Sequence, residues 1–221
     1  MPPKTIVLSF ILLCWIGNTF ARQRNTVILP KGTLFLRINP LGLIDPIDQN
    51  ISTGAEYRFH QKWSAAVDAA WIFHSSNLQN QQSSNGFIVR PAVRKYFSRQ
   101  LNHYVEAEFH YKYLASPMED WVGRNVVNGI PAYEEYRKFR YIKEVAGLQV
   151  KLGVQECLVQ KKWLWIELYV GFGVRKKWQR AQLPPGSSYT FLRRMFNEDP
   201  NQSNTIFPAF PGGVRLLFKI K

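Results

Sequence analysis

Eight stretches of this 221-residue chain alternate apolar and polar side chains with a period of two. A strand with different surroundings on its two faces needs that pattern, and a helix cannot deliver it. The fifth stretch is the sharpest: Val105, Ala107, Phe109, Tyr111 and Tyr113 alternate with Glu106, Glu108, His110 and Lys112. Ile51 to Phe59 and Trp63 to Phe73 are nearly as clear, and Leu164 to Arg175 sets Leu, Ile, Val and Phe against Glu167, Tyr169, two glycines and Arg175. Thr33 to Asn39, Phe87 to Phe97, Val145 to Gly153 and Val214 to Ile220 complete the set with lower contrast, Pro91 and Lys95 falling on the apolar side of the fourth.

The connections alternate in length. His60 to Lys62, Ser98 to His103 and Gln155 to Lys162 are short; His74 to Gly86, Leu114 to Tyr136 and Lys176 to Pro211 are long and polar or proline-bearing; Pro40 to Gln49 is intermediate. Tight turns on one rim and long loops on the other are the habit of outer-membrane barrels. The expected fold is therefore all-β, an eight-stranded antiparallel up-and-down transmembrane barrel with long extracellular loops.

Residues 1–21 have the form of an export signal: Lys4, an apolar run from Ile6 to Ile16, then a small-residue exit at Asn18 to Ala21. That run is too short to span a bilayer as a helix, and Leu13 before Cys14 argues against a lipidated cysteine. The barrel domain then covers 22–221, with one cysteine, Cys157, and a net charge lowered by the loss of Lys4 from +14 to +13. No internal disulfide and no cysteine-based metal cluster is possible with one thiol. An exported protein rarely meets nucleic acid, so outer-membrane lipid and lipopolysaccharide are the expected counter-ions for the basic excess.

Alternation alone does not say which face points inward, because a soluble lipocalin-like carrier shares the period with an apolar interior. The polar face mixes charges of both signs with Gly, Ala and Ser, as a narrow lumen requires, and aromatic residues gather toward strand ends at Tyr57, Phe59, Trp63, Trp71, Phe73, Tyr96, Phe97, Tyr111 and Tyr113. Both favour a polar interior. A ring of eight strands is filled by its own side chains, so Glu56, Arg58, Asp68, Arg90, Arg94, Glu106, Glu108, His110 and Lys112 are expected to form an ion-pair network in the lumen, with Arg90 and Arg94 facing the acidic run on the next strand.

The runs Ile38-Asn39-Pro40-Leu41-Gly42-Leu43, Asn50-Ile51-Ser52-Thr53-Gly54-Ala55-Glu56-Tyr57-Arg58-Phe59 and Val89-Arg90-Pro91-Ala92-Val93-Arg94-Lys95-Tyr96-Phe97 resemble a family of uncharacterised small Gram-negative outer-membrane β-barrels, some encoded near surface-fimbria genes. The resemblance implies fold and location and carries no assigned activity. The last strand departs from the usual aromatic ending of such barrels, closing on Leu217-Phe218-Lys219-Ile220-Lys221.

Catalytic and cofactor chemistry finds little footing. His74-x-Ser76 has a spacing that could pair a base with a nucleophile, but Asn77 to Gly86 supplies no carboxylate to orient the histidine. His110 between two glutamates has Lys112, Arg90 and Arg94 around it, which would repel a metal ion. Gly171-Phe172-Gly173 relieves crowding more readily than it cradles phosphate. Arg193 and Arg194, flanked by Leu192 and Met195 in the last long loop, are the candidate contact for lipid phosphates or a partner. The expectation is a non-enzymatic barrel without cofactor or metal, presenting extracellular loops for envelope organisation, adhesion or assembly of a fimbria-like surface structure. A lipid-modifying hydrolase and a soluble ligand carrier are the alternatives.

Overall fold

The computed structural model describes residues 29–45, 47–75, 84–97, 102–128, 130–159, 161–188 and 205–220. Its strands are β1 (Leu34–Asn39), β2 (Asp48–His60), β3 (Trp63–Ser75), β4 (Asn85–Tyr96), β5 (His103–Arg124), β6 (Tyr133–Cys157), β7 (Leu164–Gln182), β8 (Ser187–Ser188), β9 (Thr205–Ala209) and β10 (Gly212–Lys219). β1 to β7 pair antiparallel in chain order, each of β1 to β6 with the next, and β10 pairs with both β7 and β1, so eight strands close a ring. The eight-stranded barrel follows from the alternation.

β9 and β10 are one strand in register. Ala209 opposes Gly173 and Gly212 opposes Val170 on β7, and the Gly171 N–H donates to the Pro211 carbonyl between them at 2.7 Å. The ladder breaks at 210–211, where Pro211 has no N–H to contribute. β1 stops at Asn39, where the Asn39 side chain accepts from the Leu41 N–H and starts a 3-10 turn over Pro40–Ile44.

One expected loop is largely strand, and a second contains strand at both ends. β5 has 22 residues and β6 25, against 12 or 13 in β2, β3 and β4. From Ser116 onward β5 continues past its last described partner on β4 and pairs with β6 through Arg124↔Tyr133, with β8 added at Gly123 and Arg124, so Leu114 to Tyr136 is mostly a β-arm, about 30 Å long at ~3.4 Å per residue. Pro117 is tolerated because β5 is an edge strand there. The segment Lys176 to Pro211 likewise contains the end of β7, β8 and β9.

The interior is polar and the exterior apolar. Outward residues such as Leu148, Val150, Leu152, Leu168, Val170 and Phe172 are exposed, while Arg37, Glu56, Arg94, Glu106 and Glu167 are almost completely buried. Many outward aromatics fall in two bands, Tyr57, Phe59, Trp63, Phe97 and Trp163 at the tight-turn end and Trp71, Phe73 and Phe87 at the other, with Phe109 and Phe172 between them. Trp63 and Trp71 are roughly 26 Å apart along β3 at ~3.3 Å per residue. Tyr96, expected among these aromatics, instead points inward and is fully buried, its hydroxyl bonded to Glu56. Pro91 and Lys95 do sit on the outer face, where the Lys95 ammonium lies 5.5 Å from the Trp63 ring.

Candidate functional site: the charged lumen

Each of the eight ring strands sends a charged side chain into one buried network: Arg37 from β1, Glu56 from β2, Asp68 from β3, Arg94 from β4, Glu106 and Glu108 from β5, Lys151 from β6, Glu167 from β7 and Arg215 from β10. Period-two alternation puts them all on the inner face, and antiparallel register brings them to similar heights, as where Arg94 opposes Glu106, Glu106 opposes Lys151 and Arg215 opposes Glu167.

Arg94 is the hub. Its Nε donates to Glu106, its Nη1 to Glu56 at 2.7 Å and to Glu167 at 2.6 Å, and its Nη2 to Glu167 at 2.9 Å. Arg215 adds a 2.6 Å bond to Glu167 and lies 3.2 Å from Asp68, which Arg37 also approaches to 3.2 Å. Lys151 bridges Glu108 and Glu106. Aromatic faces complete the packing: the Arg94 guanidinium lies 4.2 Å from the Tyr104 ring and that of Arg215 4.1 Å from Tyr169. Toward the tight turns the lumen is closed by an apolar cluster of Leu29, Phe35, Trp165 and Leu217. Every carboxylate in this layer meets a cation, the condition under which buried charge is tolerated.

The expected network is therefore brought together in part. Glu56, Asp68, Arg94, Glu106 and Glu108 belong to it. Arg58, Arg90, His110 and Lys112 face the lumen but lie outside it. Arg58 stacks 4.0 Å over Tyr96 and donates to the Leu29 carbonyl; Arg90 donates to Ser52 Oγ at 2.8 Å; Lys112 pairs with Asp48. Arg90 misses the acidic run because its level on β5 is that of His110, one pleat beyond Glu108. Arg37, Lys151, Glu167 and Arg215 complete the network. Their place on polar faces is legible in the sequence, but their meeting across the lumen depends on register.

Of the His74 and Ser76 pair only His74 is among the described residues. His74 is exposed opposite Gln49, just past a register shift at Gln49/Asn50 that takes it out of the inward series ending at Ile72. Ser76, Arg193 and Arg194 lie outside the described residues. Among the described residues no group of three His, Cys, Asp or Glu side chains is placed to hold a metal ion. Cys157 is a free, half-buried thiol at the end of β6, directed at the Val159 carbonyl at 3.1 Å.

Fold and lumen define a class: a closed antiparallel barrel with an ion-paired interior and an apolar outer wall. No protein-family model and no curated protein matches the chain.

Proposed function

We propose that this chain is a non-enzymatic outer-membrane barrel that works by displaying its long-strand end to an envelope or surface partner, within outer-membrane lipid and lipopolysaccharide. The polarity of the wall carries the reading. A soluble ligand carrier of this architecture needs an apolar cavity, and this lumen holds a salt-bridge network; the apolar face looks outward, where a bilayer covers it. The two aromatic bands, about 20 Å apart in height for strands tilted ~40°, suit the two interfaces of a hydrocarbon layer. The resemblance in the Ile38 to Leu43, Asn50 to Phe59 and Val89 to Phe97 runs points the same way.

The arm formed by β5 and β6 is the element best suited to display. It projects past the ring and is held by pairs of its own: Lys138 with Glu119 at 2.7 Å, Arg124 with Glu135 at 3.3 Å, and Trp121 edge-on to Tyr136 at 5.6 Å between centroids. In a Cys157→Ser background, Val127→Cys on the arm should react with a membrane-impermeant maleimide on intact cells. Gln61→Cys at the opposite rim should react only after the outer membrane is opened. Equal labelling of both on intact cells, or recovery of the protein in the soluble periplasm, would overturn the reading.

A further inference from the structure

Above the neutralised network lies a row of inward side chains with a different balance. The register that sets Val89 opposite Tyr111 and Ala92 opposite Glu108 places Arg90 opposite His110. His110 opposes Gly147 on β6, and Gly147 opposes Arg175 on β7. Four adjacent strands thus read Arg90, His110, Gly147, Arg175 at one level, with Asp68 on β3 opposite Arg90 at the end of the row. A Cβ at Gly147 would stand 2.7 Å from Arg175 Cγ, so the arginine stem lies over the glycine, which leaves no side chain between Arg175 and His110.

The carboxylates closest to this row are engaged elsewhere: Asp68 by Arg37 and Arg215, Glu108 by Lys151 and Gln149, Asp48 by Lys112. The cations beside His110 are Arg90 and Arg175 at its own level and Lys112 one pleat above, and Glu108 stands one pleat below. Among the described residues, three buried nitrogens of the row have no hydrogen-bond partner: Nδ1 of His110, whose residue is 5% exposed, Nε of Arg90 and Nε of Arg175. Arg90 and Arg175 each spend one Nη2 on a neutral oxygen, Ser52 Oγ and Gln149 Oε1, both at 2.8 Å. A buried donor left without an acceptor is costly, and two guanidiniums flanking an imidazole offer forked donors to a tetrahedral oxyanion.

We propose that this row is a binding site for a phosphate group, entering the lumen from the long-strand end. Arg90 and Arg175 each turn a guanidinium edge to it, His110 adds a hydrogen bond, and the ion-paired layer below forms the floor. The site needs only the ring of strands, so its failure and the failure of the membrane reading are separate results.

The test is titration of the refolded full chain with inorganic phosphate and, separately, with the phosphorylated disaccharide of deacylated lipid A, by calorimetry at constant ionic strength in chloride. Saturable binding of inorganic phosphate supports a site for a free anion; binding of the disaccharide alone supports a site for a lipid headgroup. In either case Arg90→Gln with Arg175→Gln should weaken affinity at least tenfold, while Lys62→Gln at the opposite rim should leave it unchanged. Should the double variant fail to refold, Arg90→Lys with Arg175→Lys, which keeps both charges but removes the forked donors, should give the same loss. Absence of saturable binding to either probe, or unchanged affinity in the variant that folds, overturns the proposal.

Discussion

Arg94 and Glu167 stand 73 residues apart in the chain, on strands that are not neighbours, and the guanidinium holds the carboxylate through two nitrogens at 2.6 and 2.9 Å. The pair crosses the lumen from β4 to β7 with both side chains fully buried. It ties the walls of the ring to each other independently of the backbone ladder.

Removing one member strands the other's charge. Glu167→Gln leaves Arg94 and Arg215 short of a shared anion and should cost about 3–5 kcal/mol, the range for breaking a buried pair. Urea unfolding of the protein refolded in detergent measures it. Replacing Arg94 and Glu167 together with methionine should cost less than the sum of the single changes, since the coupled partners leave together.

A lumen packed with paired side chains passes no steady current. In planar bilayers the wild-type chain should give no stable open level, and Arg94→Ala with Glu167→Ala should raise ion leakage by emptying the hub. A large, steady wild-type conductance would mean that the charged layer parts in the membrane.

Gly54 is required by its neighbour. A Cβ there would stand 2.1 Å from Asp68 Oδ1, the carboxylate that Arg37 and Arg215 share. Gly54→Val should cost about 1–3 kcal/mol by overpacking, read from the shift of the urea midpoint. Asp68→Ala in the same chain should relieve the contact with the carboxylate but not that with the Val67 carbonyl at 2.4 Å, while losing the ion pairs, so the two changes should be partly non-additive.

The two faces of β6 give opposite expectations. Leu148 points outward and is 69% exposed, whereas its neighbour Gln149 points into the lumen. Leu148→Arg should destabilise the chain by about 2–4 kcal/mol in lipid vesicles, the cost of a basic residue near the middle of the hydrocarbon. The same change should matter little to a protein that lives in water. Comparing folding into vesicles with solubility without detergent separates the two.

Most of the ring was legible because alternation is a local property: Val105 to Tyr113 announces β5 and its inward charges without knowledge of any neighbour. What was not legible depends on register and on partners. Leu114 to Arg124 looks like a loop because Pro117 and Gly123 break the pattern, yet pairing with β6 carries the strand through it. Tyr96 looks like a rim aromatic until parity turns it toward Glu56. Arg90 and Arg94 look equivalent, but one pleat separates a residue at the hub from one beside His110.

The most direct test of the central claim, an inside-out barrel seated in a membrane, is gel mobility of the membrane-extracted protein before and after boiling. The expected result is a compact, faster band that shifts on heating, in the outer-membrane fraction. A soluble protein with a single, heat-independent band would contradict it.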